Sequence, residues 1–523
     1  MNNYSLNGSI QDRFRQLDVE RTSKLDRARE ASALTIPSVL PPESWSEKDP
    51  LIQPSSSIPA RGVTNLASRM LSALIPLNDL PFFDFKVKTG EQVPMELESF
   101  LNTLSHQVYT KIIGGNFREI TFSALQQLIV TGDVILVMED DFNFRLIRQD
   151  HYVLRRDIVG NPVEIIHLEY VPDMDSKQDV MDYYDPSTAY GKKGYETIFV
   201  RIVLNEDDDK WHVSRENEKG ETIDSGVYTV LPYSCLRWTG IAGENYGRSH
   251  CEEIMGDIQS LEAFTEAQLE GMAAASAFWI GVNPAGVTNI EDIAGRDNGS
   301  YISARREDVF TISPSDTLTP QIQSISAAVE TMRREVSTAF LMSAGAIPSG
   351  DRVTATAVRM IGSELETILG GAFSAIAREM MEPIVRRAVF MMIENEDIDP
   401  RLASGFASNG VLDIEILTGL QALSRDSELT KLIQMGEMVR NLPPESLATF
   451  RWDAYTTALI TALGFDPTNW VKSEEDVQTE QNAQMDRQLA MQQKAQMAQM
   501  GMEAASGIAQ QAIGQQLQSP GNV

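Results

Sequence analysis

The residues able to do chemistry in this chain are few and scattered. Its five histidines, His106, His151, His167, His212 and His250, share no metal-ligand spacing. Cys235 and Cys251 are its only cysteines, too few for a disulfide framework or a four-ligand zinc site. His250 and Cys251 are adjacent in the chain, and adjacency alone does not aim a base at a thiol. The phosphate-cradling G-x-x-x-x-G-K pattern and H-E-x-x-H are absent, and Gly240, Gly243 and Gly247 miss the dinucleotide spacing. Acidic residues are too plentiful for any carboxylate pair to stand out. These observations predict no catalytic residue, no metal and no cofactor, and they favour a mechanical or scaffolding role.

One electrostatic pattern remains. Glu252, Glu262, Glu266 and Glu270 recur at helical spacing and fall on one side of a long helix predicted over 249–278. A strip of this kind is ordinarily a solvated face; the sharper reading is an acidic lining on a channel. The chain carries 44 basic against 74 acidic residues, a formal charge of −30. That balance is opposite to a conventional nucleic-acid binder and suits a protein that meets DNA without sticking to it. It equally serves solubility.

The elements that must position this helix follow from the periodicities. On its apolar side Ile254, Ile258, Leu261, Leu269 and Met272 form a seam, with Thr265 its only polar member. A second helix, 321–342, carries Ile322, Ile325, Val329, Met332, Val336 and Ala339 at alternating intervals of three and four. Between the two lies a short, turn-rich, β-leaning module, 279–320. The expected figure is a helix out, a small module at the tip and a helix back. The loop 343–352, with Gly345, Pro348 and Gly350, cannot continue a helix. After it a long helix is predicted to Ile393, kinked at Pro383.

The first 248 residues read as helices followed by strands. Ile10, Phe14, Leu17, Val19 and Leu25 predict a weakly amphipathic helix, and further helices are expected over 60–76, 95–113 and 120–131. From Asp133 the period becomes two, predicting strands at 133–139, 144–148, 152–156, 163–170, 198–204, 211–215 and 227–231. The fold class is therefore α+β, an antiparallel sheet beside helices. Residues 412–475 are expected to be mostly helical. The Gln-, Met- and Ala-rich stretch 476–523 is expected to be a mobile tail. Met1-Asn2-Asn3-Tyr4 does not begin a signal peptide, and no apolar run approaches a membrane span. The expected setting is cytoplasm, or an assembly made there.

Several blocks resemble one family in order along the chain. They are Thr35-Ile36-Pro37-Ser38, Ala60-Arg61-Gly62-Val63-Thr64-Asn65-Leu66-Ala67-Ser68 with Leu74-Ile75-Pro76, Glu244-Asn245-Tyr246-Gly247-Arg248-Ser249, and Val282-Asn283-Pro284-Ala285-Gly286. Gly350-Asp351-Arg352-Val353-Thr354-Ala355 and Ser363-Glu364-Leu365-Glu366-Thr367-Ile368-Leu369-Gly370-Gly371 complete the series. Together they are similar to portal, or head-to-tail connector, proteins of short-tailed, podovirus-type (autographivirus-like) bacteriophages. Ala355-Thr356-Ala357 departs from the family's pattern, where acidic residues are expected early in the helix.

The resemblance implies a homododecameric ring at one capsid vertex of the virion, assembled in the host bacterial cytoplasm, through which double-stranded DNA enters on packaging and leaves on ejection. It implies a portal fold with a wing (1–248), two stem helices (249–278 and 321–342), a clip (279–320), a tunnel loop (343–352), a long wing helix (353–393) and a helical crown (394–475). Ser343, Gly345, Pro348, Gly350 and Arg352 would then face DNA from the tunnel loop. Glu252, Glu262, Glu266 and Glu270 would face it from the stem. Arg333 and Arg334 would meet either DNA or the neighbouring subunit. Implied partners are the terminase large subunit, major capsid and scaffolding proteins, a tail adaptor protein and internal core proteins, with no membrane. Two competing readings are a capsid or tail protein without a DNA channel, and a hydrolase with an unrecognised site.

Overall fold

The computed structural model describes residues 8–43, 45, 48–75, 81–87, 95–172, 195–205, 207–295, 297, 299–312, 315–342, 371–398, 412–416 and 432–440, with six isolated positions between 452 and 491. The chain divides into two compact units. One comprises residues 1–93 and 101–424, the other 94–100 and 425–523. In the second, a helical turn at 432–440 is held by Tyr455, whose hydroxyl donates to the Leu432 carbonyl at 2.8 Å.

The first unit opens with α1 (Ile10–Leu34), capped where the Ser9 hydroxyl accepts the Asp12 amide. Helix α2 (Ile58–Leu74) has a proline in its first turn and buries Val63, Leu66, Ala67, Met70, Ala73 and Leu74, an i, i+3, i+4 face. Strand β1 (Phe83–Val87), the part of α3 (Met95–Ile113) from Leu101 onward, and α4 (Phe117–Thr131) follow. Gly132 ends α4 in the left-handed region at φ +83°. A Cβ there would sit 2.7 Å from the Ser249 amide nitrogen, so glycine is required twice over.

Two antiparallel sheets come next. Strands β2 (Asp133–Met138), β3 (Phe144–Ile147) and β9 (Tyr233–Arg237) form the inner sheet in the order β3-β2-β9. Strands β4 (Tyr152–Arg156), β5 (Pro162–Pro172), β6 (Tyr195–Asn205), β7 (Lys210–Asn217) and β8 (Thr222–Tyr228) form the outer sheet, a plain meander. Every residue of β2 is buried because the strand has a core on each face. Val134, Leu136 and Met138 join the helices, while Ile135 and Val137 join Tyr152, Leu154, Ile165, Val200 and Ile202 of the outer sheet. Each fully buried aliphatic side chain here contributes about 1.5–3 kcal/mol.

The remaining elements are α5 (His250–Glu253), α6 (Met255–Ser276), β10 (Trp279–Val282), α7 (Ile290–Ile293), β11 (Val309–Ile312), α8 (Ser315–Ala339), α9 (Gly371–Glu394) and β12 (Leu412–Ile416). Strands β10 and β11 pair antiparallel, as do β1 and β12.

Several expectations need correction. The helix predicted over 249–278 is stepped: α5 ends at Ile254, whose carbonyl accepts both the Asp257 and the Ile258 amides as α6 begins. Helix α8 starts at Ser315, so Pro320 lies within it. The strand expected at 227–231 lies at Thr222–Tyr228 instead, and β9 follows it. Residues 412–416, expected to be helical, form β12, because Leu412, Ile414 and Ile416 alternate with Asp413 and Glu415 at a strand's period against β1.

Candidate functional site

Helices α6 and α8 with the β10–β11 pair between them make the outgoing hairpin. At its root the seams are buried. Ile258 and Leu261 of α6, and Val329 and Val336 of α8, are at most 2% exposed. Thr265, the polar member of the α6 seam, is satisfied by donating to the Leu261 carbonyl at 2.6 Å. Further out the helices are joined by Gln268, whose Nε2 donates to Ser326 Oγ at 2.8 Å, and by the close approach of Gly271 to Ile322. Burial fades toward the tip, where Leu269 is 55% and Met272 48% exposed. Phe278, Trp279, Ile280, Phe310 and Ile312 are about half exposed or more, and Tyr301 is fully exposed. A polar lock lies at the tip. Asp308 accepts the Val287 amide at 3.0 Å and the Thr288 hydroxyl at 3.1 Å, tying together the two sides of the module.

The root is fixed by α2. Phe340 lies against Gly62 so closely that a Cβ on Gly62 would be 2.5 Å from the ring, and Asn65 Nδ2 donates to the Phe340 carbonyl at 3.1 Å. His250 sits between the Trp238 and Phe340 rings and donates to the Ala339 carbonyl at 3.0 Å. Burial holds its pKa below the ordinary imidazole value. Cys251 is fully buried in the main core, which pushes its thiol far up. Their adjacency is thus a packing arrangement, in which the thiol is kept protonated and the imidazole faces a carbonyl.

The four glutamates part company. Glu252 takes Lys24 Nζ at 3.2 Å, Arg27 Nε at 2.7 Å and an Arg248 nitrogen at 3.6 Å. Burial raises its pKa, but the three cations outweigh burial and hold it below the usual carboxylate range. Glu262 accepts the backbone amides of Ser55 and Ser56, the latter at 3.0 Å, ahead of α2. Glu266 and Glu270 are exposed on α6. Arg333 and Arg334 are exposed on α8, and Arg334 pairs loosely with Glu330 at 3.7 Å. Ser343, Gly345, Pro348, Gly350 and Arg352 lie outside the described residues, as does 353–370.

Charged groups that periodicity does not single out hold the body together. Asp133 is buried with both oxygens on the Gly247 amide. Burial raises its pKa to about 7, against the opposing pull of Lys24, the Gly247 amide, Arg156 and Arg237. Glu164 is clamped between Arg13 and Arg201 at 2.8 and 2.7 Å. Arg21 is buried and donates to the carbonyls of Gln149, Asp150 and Tyr152. The segment Glu244–Ser249 is a junction. Asn245 accepts the Arg156 amide at 2.9 Å, the Tyr246 hydroxyl accepts the Leu154 amide at 3.0 Å, and Ser249 caps α5. Those two bonds also close the β4 edge of the outer sheet. Among the described residues there is no cluster fit for a metal ion, and no helix long and apolar enough to cross a membrane.

Comparison with known proteins places this architecture. Residues 7–470 match the family model of bacteriophage head to tail connecting proteins. The portal protein of Enterobacteria phage T3 is 30% identical over 80% of this chain and 79% of its own. That of Escherichia phage T7 is 28% identical over 97% and 94%, and that of Pseudomonas phage phiKMV 24% identical over 87% and 90%. Among solved structures, a chain of a native gene transfer agent virion overlaps 72% of this chain and 86% of its own, at 12% identity and a TM-score of 0.34, too loose to carry an argument. The match over nearly the whole described body makes the chain a member of the bacteriophage head to tail connecting protein family, with a portal (connector) role.

Proposed function

We propose that the chain works as one subunit of a closed, twelve-fold portal ring whose bore conducts double-stranded DNA into the capsid and out again. The observation that carries this reading is the α6–α8 hairpin, sealed at its root and apolar and exposed toward its tip. An isolated two-stranded β-unit is marginal in water, and a patch of exposed aromatics marks a contact surface. Neighbouring copies of the same hairpin, related by rotation, would cover it through heterologous contacts that close into a ring. The hairpin is then the stem and clip, and the two sheets belong to the wing.

In that ring Glu266 and Glu270 are the members of the acidic strip left to face the bore, since Glu252 and Glu262 are bonded within the subunit. Repeated around the axis, their charge keeps phosphates off the wall. The repulsion reaches about 10 Å at moderate salt, which favours sliding over gripping. Arg333 and Arg334 serve contacts between adjacent stems, and the loop 343–352 with Arg352 narrows the passage. Arg352→Ala should then alter DNA retention or packaging; unchanged values for both would remove the loop's contact with DNA. Proposed partners are the terminase large subunit during packaging, a tail adaptor protein afterwards, major capsid and scaffolding proteins around the rim, and internal core proteins within the capsid. The setting is the portal vertex of the virion, assembled in the host cytoplasm.

Electron microscopy of the purified recombinant protein tests the reading. Rings with an open bore are expected. Monomers or closed discs under all assembly conditions would overturn it and favour a structural head or tail protein without a channel.

A further inference from the structure

Helix α1 touches both ends of the main body. Its first turns lie on the outer sheet, where Ile10, Phe14 and Leu17 pack with Val153, Ile166, Leu168 and Phe199. The Ile10 amide donates to Glu216 of β7 at 2.7 Å, and Arg13 reaches Glu164 of β5 at 2.8 Å. At mid-length Arg21 is anchored in the carbonyls that precede and open β4. Its later turns lie on the hairpin root, where Lys24 and Arg27 hold Glu252, and Glu30 accepts Gln259 Nε2 of α6 at 2.6 Å. With 25 residues the helix is about 37 Å long.

Between these ends α1 also packs on α4 and puts Ala31 into the main core, and the attachments at its two ends differ in kind. At the outer sheet they combine an apolar contact with a buried carboxylate, Glu164, that Arg13 and Arg201 hold below the usual range against the cost of burial. At the hairpin root they are polar and concentrated on Glu252, whose other partner, Arg248, belongs to the junction leading into α5. One carboxylate therefore joins α1, the junction and the start of the outgoing hairpin. A continuous helix is stiff along its axis, so a shift of α5 against the body must either break these ion pairs or move α1 over the outer sheet.

We propose that α1 is a mechanical strap coupling the hairpin root to the outer sheet, with Glu252 as the positioning residue through which it is engaged. This holds whether or not the hairpin lines a channel. Its role differs from that of Glu262, which lies further along on α6 and bonds to the segment before α2 and not to α1.

Amide hydrogen exchange on the full-length assembled protein tests the strap. Glu252→Gln should raise exchange about fivefold or more in peptides covering 164–168 and 197–201, far from the substitution. Glu262→Gln should leave those peptides unchanged. In the reverse direction, Arg13→Gln should raise exchange in 250–262. Should Glu252→Gln prevent folding, Arg27→Gln, at a half-exposed side chain that leaves Lys24 on Glu252, should give the same remote pattern at smaller amplitude. Changes confined to 244–276, or equal remote changes in both glutamate variants, would overturn the proposal.

Discussion

The Gly247 amide donates to both carboxylate oxygens of Asp133, at 2.9 and 3.0 Å, with the acid fully enclosed where the inner sheet meets the junction. Burial raises the Asp133 pKa to about 7, above its unfolded value of about 3.9. A raised acid stabilises the fold fully below the unfolded pKa, and that stability is lost as pH rises through the folded pKa. Between about pH 4 and pH 7 this group alone withdraws stability on the order of a few kcal/mol. Asp133→Asn keeps an acceptor for Gly247 and cannot ionise. Its urea midpoint should exceed that of the parent at pH 8, by less at pH 5, and converge with it only below about pH 4. Parallel pH profiles for the two proteins would contradict this.

Gly62 and Phe340 fix how the hairpin root seats on α2. Gly62→Ala places a methyl group 2.5 Å from the ring and should cost about 1–3 kcal/mol through overpacking. Calorimetry should show a lower melting temperature. Phe340→Leu in the Gly62→Ala background should recover part of the loss, because the two positions are in contact and their effects are not additive.

Trp279 and Phe310 are 58% and 49% exposed at the hairpin tip. Replacing both with serine should leave the thermal transition of dissociated subunits within about 0.5 kcal/mol, as for surface positions. If the proposed ring forms through this tip, mass photometry should nonetheless show assembly shifted from rings to small species. Undiminished rings would mean that the tip is covered by something other than a second copy.

Glu266→Lys with Glu270→Lys reverses the charge of the exposed part of the strip. In the proposed bore this should slow or stall DNA filling, more at low than at high salt, with ring assembly intact. Filled and empty heads separated on a density gradient provide the count. Equal filling at low salt would place these side chains away from DNA.

Much of this fold is legible in periodicity. The α6 and α8 seams, the strand-rich middle and the tip module follow from spacing and turn residues. Other features do not. Arg21 and Lys24 of α1 are buried, although charged side chains on a weakly amphipathic helix read as solvated. Their burial depends on carbonyls and carboxylates more than 100 residues away. For the same reason Glu252 and Glu262 look equivalent to Glu266 and Glu270 in sequence, though their partners on α1 and before α2 set them apart. Strand β12 shows only a five-residue alternation among helical patterns, and its partner β1 lies over 300 residues earlier, so the short local signal is outweighed until the pairing is seen. The junction Glu244–Ser249 reads in sequence only as one block of the family resemblance; its bonds to β4, β2 and α5 are set by the tertiary structure.

The pairing of Phe83–Val87 with Leu412–Ile416 has a consequence for how the chain is made. A ribosome adding roughly 5–20 residues each second delivers the second strand tens of seconds after the first. Phe340, which seats on Gly62, also arrives late. Throughout that interval β1 presents an unpaired edge and α2 an uncovered groove. Nascent chains on crowded polysomes carry these same surfaces side by side, so the period before residue 416 emerges is when mispairing between copies competes with the native closure.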